Sequence, residues 1–132
     1  LVANAGGPAP GRFLDLTPED WEAAADLTLM SAVRLCYAVV PIMRELGGGS
    51  VLAITSVTVK HPLPNLALSN SIRMAVVGMV KTMSAELAPY GIRVNSICPG
   101  WTRTKRVDQL LLERAKRNGT TVQSEEAAIV AG

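Results

Sequence analysis

The sequence predicts a doubly wound parallel α/β layer, and three observations predict it. Short continuous apolar runs at residues 1–3 and 51–54, and a third strand-like segment at 92–97, alternate with longer stretches of helical periodicity. Glycine or proline marks the switches between them, at Gly6-Gly7-Pro8, Gly47-Gly48-Gly49, Pro89-Tyr90-Gly91 and Pro99-Gly100. The resulting order, strand then helix repeated along the chain, requires parallel strands joined by crossover helices. No repeat, linker or low-complexity tract interrupts it, so residues 1–132 read as one partial domain.

Taken in order, Leu1-Val2-Ala3 reads as the tail of a buried strand that runs into a turn at Asn4-Ala5-Gly6-Gly7-Pro8. Thr17 is a helix N-cap, with Pro18 at the first helical position and Glu19 and Asp20 where the helix dipole favours acids. Helix follows to about residue 44, with a break near Asp26 and a kink at Pro41, which lacks a backbone donor. The glycine triplet ends it. Residues 51–54 are all apolar and read as a strand buried on both faces. A loop holding Lys60-His61-Pro62 leads to a long helix over about 65–88. One face of that helix carries Leu66, Asn70, Arg73, Val77, Val80, Ser84 and Leu87, and a second carries the small residues Ala75, Gly78, Thr82 and Ala85. A third strand spans 92–97 and a further helix 105–117; the residues after it carry little signal.

Apolar residues make up 48% of the 132, enough for a core, which excludes a disordered chain. The formal charge of +2 lies wholly beyond residue 100, where 6 basic residues meet 4 acidic ones; residues 1–100 carry 7 of each. That balance, with 4% aromatic residues, excludes a dedicated nucleic-acid surface. Two distant cysteines, Cys36 and Cys98, and one histidine suggest neither a disulfide framework nor a metal site, and point to a reducing, cytoplasmic setting. Arg34 splits the longest apolar run, so no membrane span is expected, and no signal peptide is recognisable.

Ligands of such sheets sit beyond the carboxyl ends of the strands. Asn4-Ala5-Gly6-Gly7, Thr55-Ser56 and the segment from Cys98 to Thr104 arrive there. Glycine lets a ligand approach the backbone, and hydroxyls supply both donors and acceptors. Alone these features are weak, since many α/β proteins have Gly and Ser after strands.

Two segments make the pattern specific. Leu1-Val2-Ala3-Asn4-Ala5-Gly6-Gly7 resembles the Asn-Ala-Gly segment of the short-chain dehydrogenases/reductases. Glu86-Leu87-Ala88-Pro89-Tyr90-Gly91-Ile92-Arg93-Val94-Asn95, followed by Pro99-Gly100 and by Thr102 and Thr104, resembles their "ELAPYGIRVN…PG…T" signature, most of all that of 3-oxoacyl-carrier-protein reductases. The resemblance runs from residue 1 to about residue 125. It implies a Rossmann-like domain whose N-terminal strands, glycine-rich phosphate turn and NAD/NADP-selecting residue precede Leu1. No G-x-G-x-x-G pattern occurs in the 132 residues. This chain by itself is therefore expected to be an inactive fragment.

The resemblance implies roles residue by residue. Ser56 matches the serine that bonds the substrate carbonyl. Ser69 stands where the family has its tyrosine acid, and Arg73 where it has lysine. Thr28, counted from Trp21, takes the position of the family's asparagine. Ser56, Ser69, Arg73 and Thr28 are thus the candidate catalytic set, with Ser56 alone unchanged. Asn4, Ala5, Gly6, Arg73, Pro99, Gly100, Thr102 and Thr104 are the candidate contacts to NADP or NAD, and no metal is expected. Ser69-Asn70-Ser71-Ile72-Arg73 resembles the Ser-Asn-x-x-Arg pattern of a divergent branch. A serine hydroxyl is a far weaker acid than tyrosine, whose pKa is about 10, and an arginine with a pKa above about 12 relays no proton. His61, in the loop beside Ser56, is the alternative acid.

The implied reaction is hydride transfer between NAD(P) and a carbonyl or secondary alcohol, with a 3-oxoacyl thioester as the specific candidate. The alternatives are a non-catalytic dinucleotide- or partner-binding relative and an inactive truncated fragment. Basic groups at Arg103, Lys105 and Arg106 and at Arg114, Lys116 and Arg117 read as solvated helix faces or as a surface for an acyl carrier protein. In the family the long helix forms a dimer interface, which implies a homodimer or homotetramer. Neither nucleic acid nor membrane is an expected partner.

Overall fold

A computed structural model describes residues 1–131 of the chain. Strands β1 (Val2–Ala3), β2 (Gly49–Ile54) and β3 (Ile92–Ile97) form one parallel sheet in the order β1-β2-β3, with Ala3 opposite Ala53 and Val51 opposite Val94. Helices α1 (Pro18–Ala25) and α2 (Ser31–Glu45) connect β1 to β2, and α3 (Ala67–Leu87) connects β2 to β3. Helices α4 (Lys105–Asn118) and α5 (Val122–Ala131) follow. This is the parallel α/β architecture that the alternating runs predict. Two compact units divide it, Leu1–Pro99 and the residues from Gly100 onward.

In the first unit, period-two alternation puts Val51, Ala53, Ile92 and Val94 on one face of the sheet. Cys36 of α2 and Val76 and Val80 of α3 pack onto that face. Leu52 and Ile54, pointing the other way, are half-buried, and Arg93 and Asn95 beside them are exposed. The continuous apolar run at 51–54 therefore does not mean burial on both faces within this unit, because α2 and α3 share one side. The stripe of α3 also differs from the expected one. Its buried residues are Leu68, Arg73, Val76 and Val80, while Asn70 and Val77 are half-buried and Ser84 is exposed. Methionines and aliphatics occur on several sides of α3, so periodicity leaves open which side meets the sheet. The small residues Ala75, Gly78, Thr82 and Ala85 are exposed.

Thr17 caps α1 in a capping box. Its hydroxyl accepts from the Asp20 N–H at 3.4 Å, and the Asp20 carboxylate accepts from the Thr17 N–H at 2.9 Å. The break near Asp26 is a single π turn, Asp26–Met30, closed by the Ser31 N–H donating to the Asp26 carbonyl. Pro41 lies inside α2, which continues to Glu45. By length and composition alone the helical stretch Pro18–Glu45, which contains an 18-residue window of mean hydropathy 1.5, is long and apolar enough to cross a membrane, although Arg34 sits within it. Arg34 pairs with Asp26 at 2.6 Å across the π turn, and Cys36 packs on the sheet, so the stretch serves here as the crossover helix.

Gly91 closes the Ala88–Tyr90 turn after α3 with φ 69°, and a Cβ there would lie 2.9 Å from the Gly47 carbonyl oxygen. Left-handed backbone disfavours any side chain, so Gly91→Ala is expected to cost about 1–2 kcal/mol before the contact is counted. Urea unfolding of the variant against the parent measures this.

In the second unit, α4 and α5 are joined through a buried carboxylate. Glu125, 5% exposed, accepts from the Thr120 hydroxyl at 2.5 Å and the Asn118 amide at 2.9 Å, and pairs with Arg114 at 2.6 Å. These residues, which carried little sequence signal, are ordered as a helix by that network. The Thr120 and Asn118 hydrogen bonds, with the Arg114 charge, hold the Glu125 carboxyl below its ordinary range. A carboxyl depressed in the folded state contributes stability that is complete above the unfolded value of about 4.3 and lost as the pH falls through the folded one. Glu125→Gln is expected to flatten that acid dependence, read as helical circular dichroism and amide exchange of α4 and α5 on acidification.

Candidate functional site

The loops that leave the carboxyl ends of the strands carry the candidate residues of the first unit. Ser56 is the second residue after β2 and is half-buried; its hydroxyl accepts from the Thr58 N–H at 3.2 Å and so caps the short turn Val57–Val59. The Thr55 hydroxyl donates to the Ile97 carbonyl at 2.8 Å and lies 3.2 Å from the Cys98 sulfur, while the Val57 N–H donates to the Pro99 carbonyl at 2.8 Å. The ends of β2 and β3 are thereby fastened together, with Pro99 as part of the fastening. Cys98 is half-buried at this junction.

Arg73 reaches the same place from α3. It is 9% exposed, and its Nη1 donates to the carbonyls of Ile54 and Thr55 at 3.1 Å each. A carbonyl at the end of a strand has lost its ladder partner, and a planar cation with several donors suits two such oxygens at once. Ser69, one turn earlier on α3, is half-buried. The π turn sets Thr28 inward. It is 3% exposed, and its hydroxyl has no hydrogen-bond partner among the described residues.

A cleft of about 170 Å³ brings Asn4, Ala5, Thr28 and Arg73 together, walled by Ala3, Ala53 and Val76. Ser56 and Ser69 are not among its lining residues, and Gly6 and His61 are exposed. In the second unit, Gly100 and Thr102 are exposed, and the Thr104 hydroxyl caps α4 by accepting from the Val107 N–H at 3.4 Å. Of the basic residues there, Arg114 is engaged by Glu125 and Arg103 by Glu126 at 3.2 Å; Lys105, Lys116 and Arg117 are exposed. Among the described residues no group of His, Cys, Asp and Glu is arranged to hold a metal.

A family model described as enoyl-(acyl carrier protein) reductase matches residues 1–128. The chain belongs to the short-chain dehydrogenase/reductase family. It is 39% identical over 118 residues to dehydrogenase/reductase SDR family member 4 of Sus scrofa, covering 89% of this chain and 42% of that protein. Among solved structures, L-sorbose reductase from Gluconobacter frateurii complexed with NADPH and L-sorbose superposes with a TM-score of 0.82 at 32% identity, over 93% of this chain and 47% of that one. A 7α-hydroxysteroid dehydrogenase complexed with NADH and 7-oxo glycochenodeoxycholic acid gives a TM-score of 0.71 at 32% identity, over 85% and 47%. The chain thus spans less than half the length of these relatives.

The sequence brings Thr55 and Asn70 to this region without giving either a contact. Thr55 arrives with Ser56 at the end of the strand, and only the fold brings its hydroxyl onto β3. Asn70 reads as one polar residue on a helix; the signal that marks it is the Pro62-Leu63-Pro64 segment shortly before, whose backbone is short of donors.

Proposed function

We propose that the protein carrying this chain is an NAD(P)-dependent oxidoreductase that transfers a hydride between the nicotinamide and a carbonyl or secondary alcohol. The single observation that carries the reading is the cleft at the strand ends, where Asn4, Thr28 and Arg73 converge. Its residues suit part of a dinucleotide, since a buried hydroxyl that is unpartnered among the described residues, set between apolar walls, is the mixture that small-molecule sites use, while a cleft of about 170 Å³ is too small for the whole cofactor. Asn4, Ala5, Gly6, Thr28 and Arg73 are the proposed contacts from the first unit, with Pro99, Gly100, Thr102 and Thr104 added by family resemblance. The bound nicotinamide supplies or accepts the hydride.

This chain's own residues orient the substrate and manage its charge. The Ser56 hydroxyl accepts from Thr58, which leaves its own proton for a substrate carbonyl oxygen. Arg73 keeps a fixed positive charge at the end of β2, on the carbonyl of the residue that precedes Ser56, and remains charged at every working pH. The alkoxide takes its proton from His61 or, relayed through water, from bulk solvent, because the Ser69 hydroxyl is too weak an acid to be the source. We further propose a 3-oxoacyl thioester as substrate, with the exposed Lys105, Lys116 and Arg117 meeting an acyl carrier protein. Leu27, Met30, Tyr37 and Ile42 of the helical stretch and Met74 on α3 are exposed, and exposed apolar side chains suit a homo-oligomer in the cytoplasm.

Titration calorimetry of the complete protein with NADPH and with NADH tests the reading. Saturable binding of one dinucleotide per chain is expected, and absence of binding to either would overturn it. The buried guanidinium where the family has lysine favours a second reading, a dinucleotide-binding relative without turnover.

A further inference from the structure

We infer that Asn70 is a positioning residue: its side-chain amide straps the Pro62-Leu63-Pro64 segment to α3 and so fixes the loop that runs from Ser56 to Ser69. Proline has no N–H, so within this tripeptide Leu63 owns the single backbone donor. That donor gives to the Asn70 Oδ1 at 3.3 Å, and the Leu63 carbonyl accepts from the Asn70 Nδ2 at 3.0 Å. Both groups are thus satisfied by one amide, which a side chain does only if it offers a donor and an acceptor together. Aspartate offers acceptors alone, and alanine offers neither. The Asn70 N–H, for its part, donates to the Leu66 carbonyl at 2.8 Å, so the residue grips the loop at two points.

A second tie extends the strap to the loop after β1. The Gly11 N–H donates to the Asn65 carbonyl at 2.7 Å, and the Gly11 carbonyl accepts from the Ala67 N–H at 3.2 Å, a short parallel bridge. Asn65 holds φ 59°, a left-handed conformation that asparagine tolerates better than most residues, and its Oδ1 accepts from the Arg12 Nε at 3.1 Å. The loops leaving β1 and β2 are therefore joined to each other and to the start of α3. Both leave the carboxyl edge of the sheet, where a substrate lies against the cofactor. A loop held in this way sets the wall against which the substrate rests, and hence its affinity, without touching the dinucleotide.

The kinetic half of this inference rests on the oxidoreductase reading; the strap itself does not. The test pairs amide hydrogen exchange with steady-state kinetics on the complete protein, comparing the parent with Asn70→Ala and Asn70→Asp, and using NADPH and ethyl acetoacetate. The Leu63 amide is expected to be protected in the parent and in Asn70→Asp, which keeps an acceptor, and to lose protection at least roughly tenfold in Asn70→Ala. The KM for ethyl acetoacetate is expected to rise about tenfold in both variants, while the KM for NADPH stays within about twofold, a split that general destabilisation does not produce. Unchanged Leu63 exchange in Asn70→Ala overturns the strap, whatever the kinetics. Lost protection with an unchanged ester KM overturns the positioning role. No turnover of ethyl acetoacetate in the parent overturns the kinetic half, and the exchange data still decide the strap.

Discussion

Arg73→Met is expected to lower the unfolding free energy by about 2–4 kcal/mol, the largest loss from any single change in the site. A hydrogen bond to a charged group contributes roughly 1.5–3 kcal/mol, and Arg73 makes two from one nitrogen, to Ile54 and Thr55. Methionine matches the length of the stem but gives those carbonyls nothing, and a position 9% exposed admits little water to replace the lost donors. Arg73→Lys should fall between, because an ammonium keeps the charge without the planar fork. Denaturant unfolding of the three proteins measures the series. A loss below about 0.5 kcal/mol in the methionine variant would show that the carbonyls find other donors. The same variants should also bind NADPH more weakly, since the cleft is lined by the residue that would be lost.

The second large effect concerns the acid. The paired change Ser69→Tyr with Arg73→Lys is expected to lower turnover of a small 3-oxo ester by about a hundredfold or more, even though it writes in the family's own acid and its partner. General acids contribute roughly 10²–10⁴ to rate where they are correctly placed. In this chain the guanidinium is spent on the carbonyls that precede Ser56, so lysine would release that end of β2 while a phenol is forced into the half-buried place of the small Ser69 side chain. Single and paired variants assayed with NADPH decide the matter. A gain confined to the pair would mean a conventional site that had lost its acid, and would contradict the mechanism built on Ser56, Arg73 and water or His61.

Much of this arrangement is legible in the sequence, and the parts that are not share a cause. The strands, the Thr17 cap and the break at Asp26 are local events, written in residues close together in the chain. The face of α3 that meets the sheet is not local, because several sides of that helix are apolar. Glu125 and α5 also escaped the sequence reading, since a helix held by one buried carboxylate shows little periodicity. The site divides the same way. Resemblance to the family finds Ser56, Ser69, Arg73 and Thr28, but resemblance says nothing of direction. That Arg73 bonds main-chain oxygens, that the Thr28 hydroxyl is left without a partner and that Asn70 grips Leu63 depend on which way side chains point once distant segments meet.

The central claim is that residues at the ends of β1 and β2 serve hydride transfer, and one measurement addresses it most directly. The complete protein is mixed with NADPH and a small 3-oxo ester, the reduced-nicotinamide absorbance is followed, and the hydroxy ester is quantified beside a Ser56→Ala variant. The account predicts one hydroxy ester formed per NADPH oxidised, with the rate lowered by roughly tenfold or more in the variant, which cannot donate to the carbonyl. Tight NADPH binding with no consumption of it, across 3-oxo esters, ketoses and oxo-steroids alike, would contradict the account and leave a protein that holds the dinucleotide without using it.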